Sequence, residues 1–228
     1  MSSPRPSPNI WNNPGTYELE NRAFDPDGSV WSALRTRAPY DGRDVLDVGC
    51  GTGFHLPSFA ATARSVTGVE PHPSLAALAR RRTRRLTNVQ VLAGQAEALP
   101  VPDASVDVVH ARWAYFFGPG SEPGLVELDR VIRPGGTAVV IDNDPTTSTF
   151  GSWFRRGFPD VDPTAVESFW TARGWRRTPI TSAWRFEHRE DLEAVVRIEL
   201  PPEAAEAALA DHTGLEVDYA VNLWSKDF

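Results

Sequence analysis

The chain of 228 residues reads as an α/β protein built on a doubly wound parallel sheet. Three observations predict this class. Short apolar strands alternate with helical stretches between residues 45 and 141, and such strands require right-handed crossovers and hence parallel pairing. Residues 106–109 are continuously apolar, as expected of a strand buried on both faces. The strand 45–48 runs straight into the turn Gly49–Cys50–Gly51–Thr52–Gly53, which opens a helix.

The elements follow in order. Residues 17–38 are helical with a break at Asp25–Pro26–Asp27–Gly28, and precede the first strand, 45–48. A helix at 54–61, a second strand at 65–69 and a helix at 73–85 come next. A third strand spans 89–92 and a fourth 106–109. The helix 122–132 is stopped by Arg133–Pro134–Gly135–Gly136, after which 137–141 is the fifth strand. Beyond Asp144 the pattern changes: a helix at 165–172, a strand at 180–187, and helices at 191–198 and 203–210 parted by Pro201–Pro202. Val217, Tyr219, Val221 and Leu223 alternate with polar residues through 217–224, a closing strand. No linker divides the chain, so residues 15–228 are expected to form one domain. It comprises a helical cap (15–40), a cofactor-binding core (41–145) and a substrate-side, sheet-closing part (146–228), behind a disordered tail at 1–14.

Composition excludes several classes. No apolar run reaches the length of a membrane span. The Ser- and Pro-rich start lacks the apolar stretch of a secretory signal, and the single cysteine, Cys50, cannot form an internal disulfide. A cytoplasmic protein is expected, with no membrane partner; the oligomeric state stays open. A net charge of −7 argues against a nucleic-acid partner. The arginines at 80–82, 84 and 85 read as a solvated helix face, because Leu75, Leu78, Ala79 and Leu86 supply an apolar stripe beside them.

The glycine turn carries the chemistry. Glycines let a backbone approach a ligand closely and adopt conformations that a side chain forbids. The spacing here is Gly-x-Gly-x-Gly, whereas the dinucleotide fingerprint places its third glycine one residue later, where this chain has Phe54. Asp47 at the strand end is a poor neighbour for a pyrophosphate, since like charges in a partly desolvated cleft repel. It suits the ammonium and sulfonium of S-adenosylmethionine. Glu70 ends the next strand, at the distance from the turn where a carboxylate reaches a ribose. Pro71 and His72 follow it and can lie against an adenine. The run Gln95–Ala96–Glu97, past the third strand, offers an acceptor for the adenine amino group.

The sequence resembles the class I S-adenosylmethionine-dependent methyltransferases, and among them the small-molecule (methyltransferase domain 11-like) group. The matching blocks are VLDVGCGTG (45–53), VTGVEPHP (66–73), GQAEALPVPDASVDVV (94–109) and LDRVIRPGGTAVVID (128–142). Gln95 departs from the pattern, since many relatives carry an aspartate there; an amide oxygen still accepts the amino proton. The resemblance implies seven strands in the order 3-2-1-4-5-7-6, with the seventh antiparallel. It also implies S-adenosylmethionine as cofactor and S-adenosylhomocysteine as product. Asp47, Gly49, Cys50, Gly51, Gly53, Glu70, Pro71, Gln95, Ala96, Glu97 and His110 are then the expected cofactor-binding residues.

Methyl transfer from a sulfonium is an in-line displacement that alignment alone accelerates, so a base is required only if the acceptor must lose a proton. His110 is the candidate base, or else supports the methionine end of the cofactor. Arg112 either binds an acidic substrate or, as preferred, pairs with Asp142 or Asp144. Arg112, Trp113, Tyr115, Asn143 and Phe154 are the substrate-pocket candidates, because aromatic residues crowd the segments after the fourth and fifth strands. Asp142–Asn143–Asp144 resembles a magnesium-binding pair of catechol-type enzymes, but a cation, Arg112, falls where the third ligand belongs, so no metal is expected. The Asn-Pro-Pro-aromatic motif of adenine-N6 and glutamine methyltransferases is missing. The expected function is methyl transfer to a small, partly apolar or aromatic acceptor; the alternative is a protein that binds S-adenosylmethionine for regulation.

Overall fold

The structure, a computed structural model, describes residues 6–115 and 118–228. Seven strands form one sheet: β1 (Asp44–Val48), β2 (Ser65–Glu70), β3 (Val89–Ala93), β4 (Val106–Arg112), β5 (Ile132–Asn143), β6 (Arg176–Arg185) and β7 (Glu216–Asp227). Their order is β3-β2-β1-β4-β5-β7-β6, with β1 to β5 parallel and β7 antiparallel to both β5 and β6. This is the order that the resemblance implied, with a chain reversal between β1 and β4 that opens a crevice at their carboxyl ends.

Alternation along the strands divides the core between the two faces. Val45, Val66, Val108, Val139 and Ile141 face one cluster with Leu34, Leu56 and Phe59. Leu46, Val48, Val69, Val109, Ala111, Ala138 and Val140 face the other with Leu128, Val131 and Trp170. The same period places Asp47, His110 and Arg112 on the first face. That face is covered by α2 (Pro14–Ala23), α3 (Ser29–Arg37), α4 (Leu56–Ala60), α7 (Thr149–Gly157), α9 (Arg189–Glu199) and α10 (Pro202–Asp211), whereas α6 (Glu122–Val131) and α8 (Pro163–Thr171) cover the second. On the second face Trp170 lies edge-on to Trp175 (ring centroids 4.8 Å apart) and stacks on Trp224 (5.8 Å). Truncating so large a buried ring to alanine costs about 3–5 kcal/mol.

Three differences from the sequence reading bear on the site. Residues 8–12, expected to lie in a disordered tail, form the short helix α1 (Pro8–Asn12), which packs over the glycine turn; the first five residues lie outside those described. Its Ile10 Cδ1 fills the space where a Cβ on Gly51 would sit, 2.8 Å away. The fourth strand continues to Arg112, so His110 and Arg112 are strand residues with side chains fixed by the pleat rather than loop residues. Helix α7, unforeseen in the sequence, is capped by Ser148, whose Oγ accepts from Gly151 N at 3.0 Å. No helix among the described residues is long and apolar enough to cross a membrane.

Candidate functional site

The turn after β1 is shaped by its glycines. Gly49, Gly51 and Gly53 have φ of +71°, +56° and +76°, the left-handed region that side chains disfavour. A Cβ on Gly49 would lie 2.8 Å from the Ala114 Cβ, so the loop after β4 can close on the turn only because no side chain intervenes. Gly53 serves differently: its missing Cβ would meet Ala79 at 3.0 Å, so it allows α5 (Pro73–Thr83) to pack behind the turn. Cys50 is buried at the turn, and burial followed by the charges of Asp47 and Glu70 pushes its thiol well up, so it stays protonated.

Glu70 ties the turn to β2. Its Oε2 accepts from Gly51 N at 2.9 Å and its Oε1 from His72 N at 2.8 Å. Burial pushes its carboxyl above the usual range, and those two backbone donors oppose the shift. One N–H per oxygen leaves acceptor capacity on both, which suits the paired hydroxyls of a ribose. Glu70 and Pro71 line a cleft whose other walls include Gly49, Gly51, Gln95, Ala96, Glu97, Trp113 and Tyr115, with Ile10 and Trp11 of α1 over it. Trp11 also lies against His72, ring centroids 5.0 Å apart. The cleft thus offers a carboxylate at the turn, an amide past β3 and rings above, groups whose chemistry suits a nucleoside.

The glycine turn is the wall shared with a second cleft. There Asp47, Cys50, Phe54, His55, His110 and Arg112 face Tyr17 and Asn21 of α2. Asp47 and His110, neighbours in the β1–β4 register, are both buried, with Asp47 Oδ1 2.7 Å from His110 Nδ1. A carboxylate on Nδ1 fixes the imidazole and leaves Nε2 for another partner. A third cleft continues past the same His55, His110 and Arg112 toward Phe24, Val30, Trp31, Leu34 and Ile141.

The remaining predicted residues are dispersed. Arg112 does not pair with Asp144: it donates to Asn21 Oδ1 and lies over the rings of Trp113 (4.2 Å) and Phe24 (5.2 Å), while Asp144 is held by Arg177 at 3.0 Å. Trp113, with φ +52°, and Tyr115 line the cleft beside Glu70 rather than the one beyond His110. Asn143 lies in a separate cleft with Asp144, Glu167 and Arg177, its Oδ1 accepting from Tyr219 Oη at 2.6 Å. Phe154 is buried in the core, 4.7 Å from the Phe158 ring. Of the expected pocket residues, only Arg112 lines the cleft past His110. The residues the sequence reading missed there are His55, Phe24 and Trp31. His55 had a legible signal, two residues past the last glycine of the turn; Phe24 and Trp31 lie in a segment whose pattern shows only a helical cap. Among the described residues no group of three or more His, Cys, Asp or Glu is placed to hold a metal ion.

Residues 46–140 match the methyltransferase domain family. The chain is 27% identical over 175 residues to a demethylmenaquinone methyltransferase of Staphylococcus carnosus, covering 74% of this chain and 73% of that one. It is 33% identical over 141 residues to the ubiquinone/menaquinone biosynthesis C-methyltransferase UbiE of Rubrivivax gelatinosus, spanning 62% of this chain and half of that one. In structure it resembles a putative methyltransferase from Bacillus halodurans (TM-score 0.64, 17% identity, 87% of this chain and 98% of that one). It also resembles the [4+2]-cyclase SpnF (TM-score 0.65, 17% identity, 100% of this chain and 99% of that one). The two structures share the fold, and a fold by itself does not fix a reaction.

Proposed function

We propose that this chain, which carries a class I S-adenosylmethionine-dependent methyltransferase domain, methylates a small molecule with an apolar aromatic ring, seated in the cleft past His110. The observation that carries this reading is the composition of that cleft. Phe24, Val30, Trp31, Leu34, Phe54 and Ile141 supply apolar walls, while His55, His110 and Arg112 converge as polar groups at the end nearest the glycine turn. The names of the relatives point the same way, since a demethylmenaquinone is a naphthoquinone, a largely apolar fused ring with two ring oxygens, and the R. gelatinosus protein is named a C-methyltransferase.

When bound, S-adenosylmethionine supplies an electrophilic methyl group on a sulfonium. The chain's residues hold the cofactor and the acceptor in line. Glu70 takes the ribose hydroxyls, Gln95 the adenine amino group, and Asp47 faces the cationic end past the turn. His110, oriented by Asp47, would receive the proton of a ring hydroxyl and so raise electron density on the neighbouring ring carbon. The methyl's bond to sulfur breaks as its bond to that carbon forms, S-adenosylhomocysteine leaves, and the carbon's own proton is then lost to restore the ring. The aromatic walls exclude water and fix the ring's plane, so that orientation provides much of the acceleration.

The test is transfer of labelled methyl to a panel of acceptors: a naphthohydroquinone unsubstituted beside one hydroxyl, a catechol, histamine and glycine. Label on the hydroquinone's ring carbon is the expected result. Label only on the amines sinks the reading, and cofactor binding with no transfer to any ring acceptor favours the regulatory alternative.

A further inference from the structure

We infer that His55 reads a hydroxyl on the acceptor's ring, its imidazole Nε2 accepting a hydrogen bond from that hydroxyl inside the aromatic cleft. This rests on the placement of the acceptor past His110.

His55 immediately precedes α4, two residues beyond Gly53, and lines both of the clefts that meet at His110 and Arg112. Its ring is stacked on Trp31 (centroids 5.4 Å apart, planes 20°) and lies edge-on to His110 (5.9 Å, 71°). Its Nε2 is buried and has no hydrogen-bond partner among the described residues. A buried nitrogen without a partner is unfavourable, so such groups in native proteins call for an occupant or a role. Stacking on Trp31 is not a sufficient role: phenylalanine would stack as well and leave no nitrogen to satisfy.

The two histidines of the cleft are set for different work. His110 has Asp47 Oδ1 2.7 Å from its Nδ1, which fixes the ring and leaves Nε2 for another partner. His55 lies among positive and aromatic neighbours instead. Burial first, then Arg112 and His110, push its pKa well below the ordinary histidine value, so it stays neutral and keeps a lone pair. A neutral imidazole in an apolar cleft is a hydrogen-bond acceptor, suited to choosing a hydroxylated ring over a bare one. Discrimination of this kind is large where the site's own polar group would otherwise be left unpaired.

The experiment uses the full chain saturated with S-adenosylhomocysteine and two probes of one ring system, 1-naphthol and naphthalene, with affinities read by tryptophan fluorescence or calorimetry. Wild type is expected to prefer 1-naphthol. In His55→Phe the ratio of the two affinities should fall about tenfold, the scale of one hydrogen bond to a buried group, with naphthalene affinity nearly unchanged. His55→Leu repeats the measurement if the Phe variant does not fold, and S-adenosylhomocysteine binding reports an intact protein in each. An unchanged ratio in the His55 variants overturns the inference and leaves the proposed acceptor cleft standing. Failure of wild type to bind either probe, while still binding S-adenosylhomocysteine, overturns both.

Discussion

The two ends of the parallel sheet are both rich in charge, but they satisfy it in opposite ways. At the amino ends of β1, β2, β4 and β5, Asp44, Arg64, Asp107 and Arg133 form a closed ionic network. Arg133 reaches Asp44 at 2.9 Å and Asp107 at 2.8 Å, and Arg64 reaches Asp107 at 3.1 Å while also pairing with Asp44. Every carboxylate there has a guanidinium, and the network is open to water, with Arg64 58% exposed. At the carboxyl ends, three residues along β1, Asp47 meets an imidazole, Glu70 meets two backbone N–H groups, and Arg112 lies over rings beside an amide oxygen. Complete ion pairing leaves nothing to offer a ligand. Partners that satisfy only part of a group leave lone pairs and charge directed into a cleft, at the cost of burying them. The amino end is therefore built for holding the strands together and the carboxyl end for binding.

The sharpest break in that contrast is at His110. His110→Asn retains a polar side chain beside Asp47 but removes the proposed base, so turnover should fall roughly a hundredfold or more with cofactor affinity within a few-fold of wild type. Steady-state kinetics and calorimetry with S-adenosylhomocysteine measure the two separately. A parallel loss of cofactor affinity would assign His110 to orienting Asp47 for binding instead.

Glu70 tests the nucleoside end. Glu70→Ala removes two hydrogen bonds to a charged acceptor and strips the Gly51 and His72 amides of their partner. Cofactor binding should weaken by about 2–3 kcal/mol, or ~30- to 150-fold. Unchanged affinity in the folded variant would remove Glu70 from the site.

The contrast between the ends also explains what the sequence made legible. The sheet was readable because β1 to β5 are apolar runs between clear helix signals, and the turn because three glycines and two carboxylates fall at interpretable spacings. The aromatic cleft was not. Phe24 and Trp31 come from the helical cap, far in sequence from His110, and only the packing of α2 and α3 on the first face brings them together. The expectation that Arg112 pairs with Asp142 or Asp144 fails at Asp144 for a related reason: Arg177, brought alongside by the β6–β7 pairing, reaches that carboxylate instead. The aromatic crowding after β4 and β5 was real but heterogeneous, with Phe154 in the core and Trp113 and Tyr115 lining the cleft beside Glu70. Phe116 and Phe117 of the same crowded segment lie outside the described residues.

A smaller effect is expected at the amino end, and on stability alone. Hydrogen bonding from Arg64, followed by Ser65 and Arg133, holds the Asp44 carboxyl far below the usual carboxylate range. A carboxyl depressed on folding contributes stability that is present above its unfolded pKa of about 3.9 and is lost as pH falls through the lower folded value. The loss should therefore begin near pH 4 and grow with further acidification. Because Arg64 is largely exposed, Asp44→Asn should cost only about 1 kcal/mol at neutral pH, or roughly 2–4 °C in melting temperature. Thermal melts at pH 7 and below pH 4 check this, with the difference between variant and wild type shrinking at the lower pH. Turnover at 25 °C should be unaffected.

The smallest expected effect is none at all, on removing divalent metal. Asp142, Asn143 and Asp144 end β5 as a run of oxygen donors that invites a magnesium site. The neighbouring chemistry opposes it. Asn143 Oδ1 already accepts from the Tyr219 hydroxyl, and Asp144 accepts from Thr146 N at 2.9 Å and pairs with Arg177. Alternation along β5 also sends Asp142 to the opposite face of the sheet from Asn143, so the two cannot converge on one ion without breaking the strand. On β4 the residue paired with Ile141, immediately before them, is the cationic Arg112. Turnover after exhaustive EDTA treatment should equal that of untreated enzyme, and added Mg²⁺ should change neither kcat nor KM. Activity lost to EDTA and restored by Mg²⁺ would mean that the end of β5 rearranges when the acceptor binds, freeing Asn143 from Tyr219; the carboxyl end of the sheet would then hold its charges even more loosely than the contrast with the amino end suggests.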